Sequence, residues 1–187
     1  MFLRQRRNPE RLVEVEALYD LCFAPGREAL SSYRLRDGIA PIAPLCLLLR
    51  DGDGILAAAI RYWPVDVGGY RALLLGPVAV HPTRQGEGLG GYLIYESLAR
   101  AAGLGWERVM LVGDAPYYAR FGFEKLHGVV MPPPTNPDRV LGIAFSWRLG
   151  RGDRPGGPRR ARLKHTACRP TDHPWKPART VEPAAPG

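Results

Sequence analysis

The sequence predicts a mixed α/β or α+β sheet with helices packed on its faces, and three observations carry that prediction. Two apolar runs, "PLCLLL" and "ILAAAIRYWPV", are divided by "DGDG", a strong hairpin signal. A strand, glycine loop, helix and second strand then follow in order from "LLLGPVAVHPTRQGEGLGGYLIYESLARA" to "RVMLVG", which is a βαβ unit. A last apolar run, "RVLGIAFSWRL", closes the sheet.

Taken in chain order, "FLRQRR" is a short first strand. "NPERLVEVEALYDLCF" is a helix with Asn8 as N-cap and Pro9 at its first position. Leu12, Val15, Leu18/Tyr19 and Cys22 recur at helical spacing to make its buried stripe. Pro25-Gly26 breaks it. "REALSSYRLRDG" predicts a second, weaker helix that ends at Gly38. The hairpin comes next, and then "YRALLLGPVAVH", so continuously apolar that both its faces are expected to be buried. In the helix after the glycine loop, Leu89, Leu93, Ile94 and Leu98 form the apolar stripe, and Glu96 and Arg100 make an i,i+4 ion pair. "APYYARFGF" is a short helix stopped at Gly122, and "VVMPPPTNP" is loop.

Charge divides the 187 residues unevenly. Residues 1–149 hold 17 basic and 15 acidic side chains, a formal charge of +2. Residues 150–187 hold 9 and 3, a charge of +6 out of the total +8. The high pI therefore describes the tail and not the expected domain, which argues against a nucleic-acid-binding core. The tail is rich in Pro, Gly and Arg and poor in branched apolar residues. It cannot offset an ordering entropy of about 1–2 kcal/mol per residue, so it is expected to be largely disordered. A nucleic-acid or anionic-surface contact is the functional alternative for it, and a solvated extension is favoured. The boundaries expected are a domain over 1–149 and a tail over 150–187.

Cys22, Cys46 and Cys168 are odd in number and form no CxxC pair, and no histidine cluster exists, so neither a disulfide framework nor a metal site is expected. Cys22 and Cys46 lie in apolar runs, away from any motif. No run reaches the roughly 20 apolar residues of a membrane helix. These features predict a soluble, cytoplasmic chain without a membrane partner.

The glycine loop carries the chemistry. Gly86, Gly88 and Gly91 match G-x-G-x-x-G, which raises a dinucleotide fold. Against it, "HPTRQ" separates Gly86 from the strand, and too few βα units follow Asp114. No Lys-Ser/Thr follows to make a phosphate-binding loop of the nucleotide triphosphatase type. The other parsing, Gln85-x-x-Gly88-x-Gly90, places glycines where the main chain passes close to a ligand. It also aims the first free N–H groups of the next helix at an anion, so a pyrophosphate can be held without a lysine. An ordinary turn needs one or two glycines, whereas this loop has four in six residues.

"LLLGPVAVHPTRQGEGLGGYLIYESLARAAGLGWERVMLVGDAPYYARFGFEKL" resembles the core of the GNAT superfamily of acyl-CoA-dependent N-acetyltransferases. It is closest to the bacterial branch with "LGPLAVHP", Q-G-x-G-I-G and "GDPxYYxRFGF". The resemblance covers about residues 1–149 and does not extend to the tail. It implies a mostly antiparallel central sheet with helices on both faces and a splayed strand pair that holds acetyl-CoA. It implies that Gln85, Gly86, Gly88, Leu89 and Gly90, with Gly91 adjoining, bind the pyrophosphate, and that Val78, Ala79 and Val80 carry the strand edge that pairs with the pantetheine arm. Gly76-Pro77, which has no N–H at Pro77, is expected to break the pairing there.

Tyr118 falls on the family's Y-x-x-x-G-F position, the general acid. A phenol of pKa about 10 can protonate the departing thiolate of CoA, and backbone N–H groups of "PVAV" would hold the oxyanion. Tyr117 is the fallback. His81 is expected to belong to the turn, with a role as base the alternative, and Asp114 to cap the "APYYARF" helix, with orienting CoA or binding the amine the alternative. The implied activity is direct acetyl transfer from acetyl-CoA to an amine acceptor without a covalent intermediate. No residue identifies the base or the acceptor. The rival is a catalytically silent acyl-CoA-binding module tethered to nucleic acid by the tail.

Overall fold

The computed structural model describes residues 2–4, 9–23, 26–145 and 179–183. Asn8 and most of the tail lie outside them.

Strand β1 (Phe2–Arg4) leads to helix α1 (Pro9–Cys22). Its buried stripe is Val15, Leu18 and Tyr19, with Cys22 half-buried at its end. Leu12, expected in that stripe, is 40% exposed. The second helix is not one helix. A 3-10 turn at Arg27–Ala29 is followed by extended Leu30 and a four-residue helix, α2 (Ser31–Arg34), and the chain turns away through Gly38 at φ 71°. The cause is tertiary. Buried Arg27 donates from Nε to Asp20, from Nη2 to Glu16 and from Nη1 to the Tyr33 hydroxyl. Those bonds fix the segment against α1 and override a weak helical propensity.

The expected hairpin is β2 (Leu47–Arg50) and β3 (Leu56–Val67), turned by Asp51, whose Oδ1 accepts from the amides of Asp53 and Ile55. A second hairpin joins β3 to β4 (Arg71–Val80), with the Asp66 carboxylate accepting from the Gly69 amide. Next come α3 (Leu89–Gly103), β5 (Arg108–Val112), α4 (Ala115–Ala119), β6 (Glu124–Lys125), β7 (Val129–Val130), β8 (Val140–Ala144) and β9 (Arg179–Pro183).

The sheet runs β1-β2-β3-β4-β5-β8-β6. Along that path only β4 and β5 are parallel, as the βαβ crossover through α3 requires. Three strands, β6, β7 and β9, were not expected. β9 comes from the tail and pairs antiparallel with Val65–Val67 of β3 and parallel with β7, in a segment expected to be loop. Here a strand partner distant in sequence supplies the order that local composition does not.

Alternate residues of β3 face opposite helices. Ala58, Ile60 and Tyr62 pack with Leu93, Ile94, Leu98 and Ala101 of α3, and Ala59 packs with Val15, Leu18 and Tyr19 of α1. The sheet is thus covered on both faces. The Tyr62 hydroxyl and Ser97 Oγ, 2.7 Å apart, satisfy each other inside the core, and Ser97 donates on to the Leu93 carbonyl. Arg100 and Glu96 make the expected ion pair at 2.8 Å.

Candidate functional site

β4 has two neighbours and leaves one of them early. It pairs with β5 only at Leu73↔Val109 and Leu74↔Met110, after which the two strands diverge while β5 stays paired along its other edge with β8. On the other side, the register with β3 slips between Ile60↔Val78 and Tyr62↔Leu75. Three residues of β4 span the two steps of β3, and the extra residue falls at Gly76-Pro77, joined by a cis peptide, with Gly76 at φ 127°. The sequence placed the break at this dipeptide.

Beyond the bulge β4 has an open edge. The His81 amide donates to the Ala57 carbonyl at 2.8 Å, so by strand alternation the amides of Val78 and Val80 point the other way, towards the gap that β5 has vacated. The Val80 carbonyl accepts from Cys22 Sγ at 3.3 Å. Ala79 does not share this position. It is buried, paired with Ala59 and packed towards α1, and it is not part of the cleft wall.

The gap opens into a cleft of about 540 Å³. Val78 and Val80 form one wall. Gln85, Gly86, Gly88, Leu89, Gly90 and Gly91 form its floor, and Tyr117 and Tyr118 stand across it. Apart from Ala79, every site residue expected from the sequence lines this one cavity.

The loop is built to present main-chain donors. His81 caps the 3-10 turn Pro82–Arg84 through Nδ1, which accepts from the Thr83 amide and meets the Thr83 hydroxyl at 2.8 Å. The histidine is thereby a turn residue and not a base held in the cleft. Gly86 and Gly88 take left-handed φ of 87° and 79°. Gly88 is the N-cap of α3 and has no side chain to close the helix, so the first-turn amides lack the usual side-chain acceptor. At Gly90 a Cβ would stand 3.3 Å from Val80 Cγ2 and 3.4 Å from the Tyr117 hydroxyl, so glycine keeps the strand, the helix and the tyrosine in contact.

Asp114 caps α4 by accepting from the Tyr117 amide at 3.1 Å. The cap starts the helix that carries both tyrosines. Tyr118 packs edge-on against Tyr117 and Phe123, and burial pushes its phenol up to about 12, against the opposing pull of Arg139.

Sequence reasoning missed three polar residues of the wall: Arg84, Tyr95 and Arg120. Arg84 pairs with Glu87 at 2.7 Å, and that carboxylate raises its pKa. Arg120 lies over the Tyr117 ring at 4.3 Å and donates to the Tyr117 carbonyl. The signal was present, one arginine inside each motif, but nothing in the spacing showed that they converge. Among the described residues no group of three or more His, Cys, Asp or Glu could hold a metal ion, and no helix is long and apolar enough to cross a membrane.

A strand parted from its parallel neighbour at a bulge thus has an uncapped glycine loop below it and a tyrosine opposite. Residues 12–123 match the model of the acetyltransferase (GNAT) family, and the chain belongs to that family. It is 34% identical over 113 residues to YhbS of Escherichia coli strain K12, described as an uncharacterized N-acetyltransferase, over 59% of this chain and 66% of that one. It thus spans just under two thirds of that relative's length. Among solved structures, that of Escherichia coli YhbS in complex with CoA superimposes with a TM-score of 0.65 at 27% identity, over 77% of this chain and 80% of that one. A GNAT family acetyltransferase from Brucella melitensis in complex with acetyl-CoA gives 0.60 at 30% identity, over 82% and 92%.

Proposed function

We propose that this chain is an acetyl-CoA-dependent N-acetyltransferase that passes the acetyl group directly to an amine, with residues 1–149 as the catalytic domain. The observation that carries the reading is the meeting of three features in one cleft: the free edge of Val78 and Val80, the uncapped amides after Gly88, and Tyr118. The chemistry of each fits one part of acetyl-CoA. Outward amides at a helix N-terminus suit a pyrophosphate. A bare strand edge suits the amide groups of pantetheine, which can pair with it as a further strand would. Arg84 and Arg120 at the cleft wall add positive charge for the phosphates. The complexes of the two similar structures with CoA and acetyl-CoA support the same assignment.

Tyr118 then has one task. When the amine displaces the acetyl group from sulfur, the thiolate needs a proton, and the phenol supplies it. A pKa of about 12 keeps the phenol protonated throughout the neutral range, so it waits as an acid and does not compete as a base. Amides of the bulged strand are the donors for the developing oxyanion.

Calorimetry with acetyl-CoA, followed by CoA release assays over a panel of amines, tests the reading. Tyr118→Phe is expected to bind acetyl-CoA as the wild type does and to lose about 10²–10⁴-fold in kcat. Unchanged turnover would remove Tyr118 as the acid. Absence of acetyl-CoA binding would remove the function itself.

A further inference from the structure

The face of the bulge opposite the glycine loop is lined by guanidinium groups. Arg61 projects from β3 beside Gly76-Pro77, and Tyr19 reaches the same point from α1, its hydroxyl 3.4 Å from the Pro77 carbonyl. Arg36 arrives from the segment after α2, and its Nη2 lies 3.6 Å from where a Cβ on Gly76 would be. Only glycine at that position lets the guanidinium come so close to the strand.

These arginines are not alike. Arg27 and Arg61 share the two carboxylates of the region: Arg27 bonds Glu16 and Asp20, and Arg61 bonds Glu16. Arg36 has no ion-pair partner among the described residues. Its guanidinium is held by its faces, 4.3 Å over the Tyr33 ring and 4.5 Å over Trp63, and buried Nε and Nη1 meet no acceptor. Burial pushes its pKa down to about 10, with the Tyr33 hydroxyl opposing. A cation stacked in place and left without a counter-charge is costly, and it is most costly where water is excluded. Here it stands beside the bulge of β4, at Gly76.

We propose that Arg36 anchors a carboxylate of the acceptor, so that the acceptor is a small amine bearing its own acid group, an amino acid in the broad sense. This rests on the acetyl-CoA reading. The amine enters on the α1 face of the bulge, its carboxylate meets the Nη2 end of Arg36, and its nitrogen lies beside Pro77. Tyr33 and Trp63 hold the guanidinium plane in advance, which suits a carboxylate better than a flexible lysine would. The same cation disfavours the ammonium form of the incoming amine, which helps where no base is in place.

The test uses the full chain, acetyl-CoA and matched pairs: leucine, serine, β-alanine and 4-aminobutyrate, each against its primary carboxamide. CoA release is expected to give kcat/KM for the acids about 10- to 100-fold above the amides, the range of a hydrogen bond to a charged group. Arg36→Met, which keeps the apolar stem between the rings, is expected to bring that ratio close to one while leaving acetyl-CoA affinity by calorimetry unchanged. A merely structural arginine would lower the melting temperature and leave the ratio alone. Should Arg36→Met not fold, inhibition of the wild type by N-acetylleucine but not by its carboxamide carries the same information. Equal use of acids and amides by the wild type, an unchanged ratio in Arg36→Met, or acetyl-CoA binding with no turnover of any acid would each overturn the proposal. Failure of acetyl-CoA to bind would instead strike the parent reading.

Discussion

The ring of Tyr118 lies against the backbone of Gly113, so close that a methyl group on Gly113 would stand 2.4 Å from its Cε2 atom. Gly113 is the last residue before the cap of α4, and its amide is bonded to the Arg139 carbonyl at 2.9 Å, so the backbone cannot simply retreat. Gly113→Ala must therefore move the tyrosine. The expected result is a kcat lower by about 10- to 100-fold, the scale of a misplaced catalytic group. Acetyl-CoA affinity should be little altered, and overpacking should cost about 1–3 kcal/mol in stability. Steady-state kinetics beside calorimetry checks the split; a fall in affinity as large as the fall in kcat would contradict it.

Gly90 separates binding from chemistry in the opposite sense. Its Cβ position is 3.3 Å from Val80 and 3.4 Å from the Tyr117 hydroxyl, and both line the cleft. In Gly90→Val the branched side chain pushes these walls apart and enters the space beside the first amides of α3. Affinity for acetyl-CoA is expected to fall by about tenfold or more, a loss of at least roughly 1.4 kcal/mol. Calorimetric titration of the variant against wild type measures it directly.

What was legible in the sequence was local. The Asp114 cap, the His81 turn, the break at Gly76-Pro77 and the glycine loop each depend on residues within a few positions of one another, and each is found where the spacing put it. The arginines were not legible. Arg36 meets Trp63 and Gly76, and Arg84 and Arg120 share a wall, only because the sheet brings distant segments together. The split of the second helix has the same origin, since Arg27 answers to Glu16 and Asp20 on α1. Ala79 was included with its two neighbours, but strand alternation turns every second residue away from the cleft.

Three tyrosines make the fold sensitive to alkali. Tyr19, Tyr62 and Tyr118 are all shifted upward by burial, Tyr118 to about 12. In the unfolded chain each ionises near pH 10. Above that pH the unfolded state releases protons that the folded state retains, so stability present below about pH 10 is lost as pH rises towards the folded values. The melting temperature is expected to fall progressively above about pH 10. The fall should be shallower in Tyr62→Phe, which removes one of the three groups and leaves Ser97 its bond to the Leu93 carbonyl. Activity, by contrast, should show no descending limb from Tyr118 below about pH 10, because the acid stays protonated there.

Removal of residues 150–187 separates the tail from the site. β9 pairs with Val65–Val67, whereas the cleft begins at Val78 and Val80. Val65 lies opposite Ala72, eight residues along β4 from Val80, which at about 3.3 Å per residue is roughly 25 Å. Acetyl-CoA affinity should therefore survive the truncation. Stability should not survive intact. Losing β9 removes the ladder bonds to both β3 and β7, each worth about 0.5–1.5 kcal/mol net, and uncovers an apolar strand edge at Val65 and Val67. For a chain of this size each kcal/mol is about 2–4 °C, so a fall of several degrees is expected, with a greater tendency to self-associate. Thermal melts and light scattering of the shortened chain decide it. A tail that contributed nothing would leave both unchanged, and one that reached the cofactor cleft would lower affinity as well.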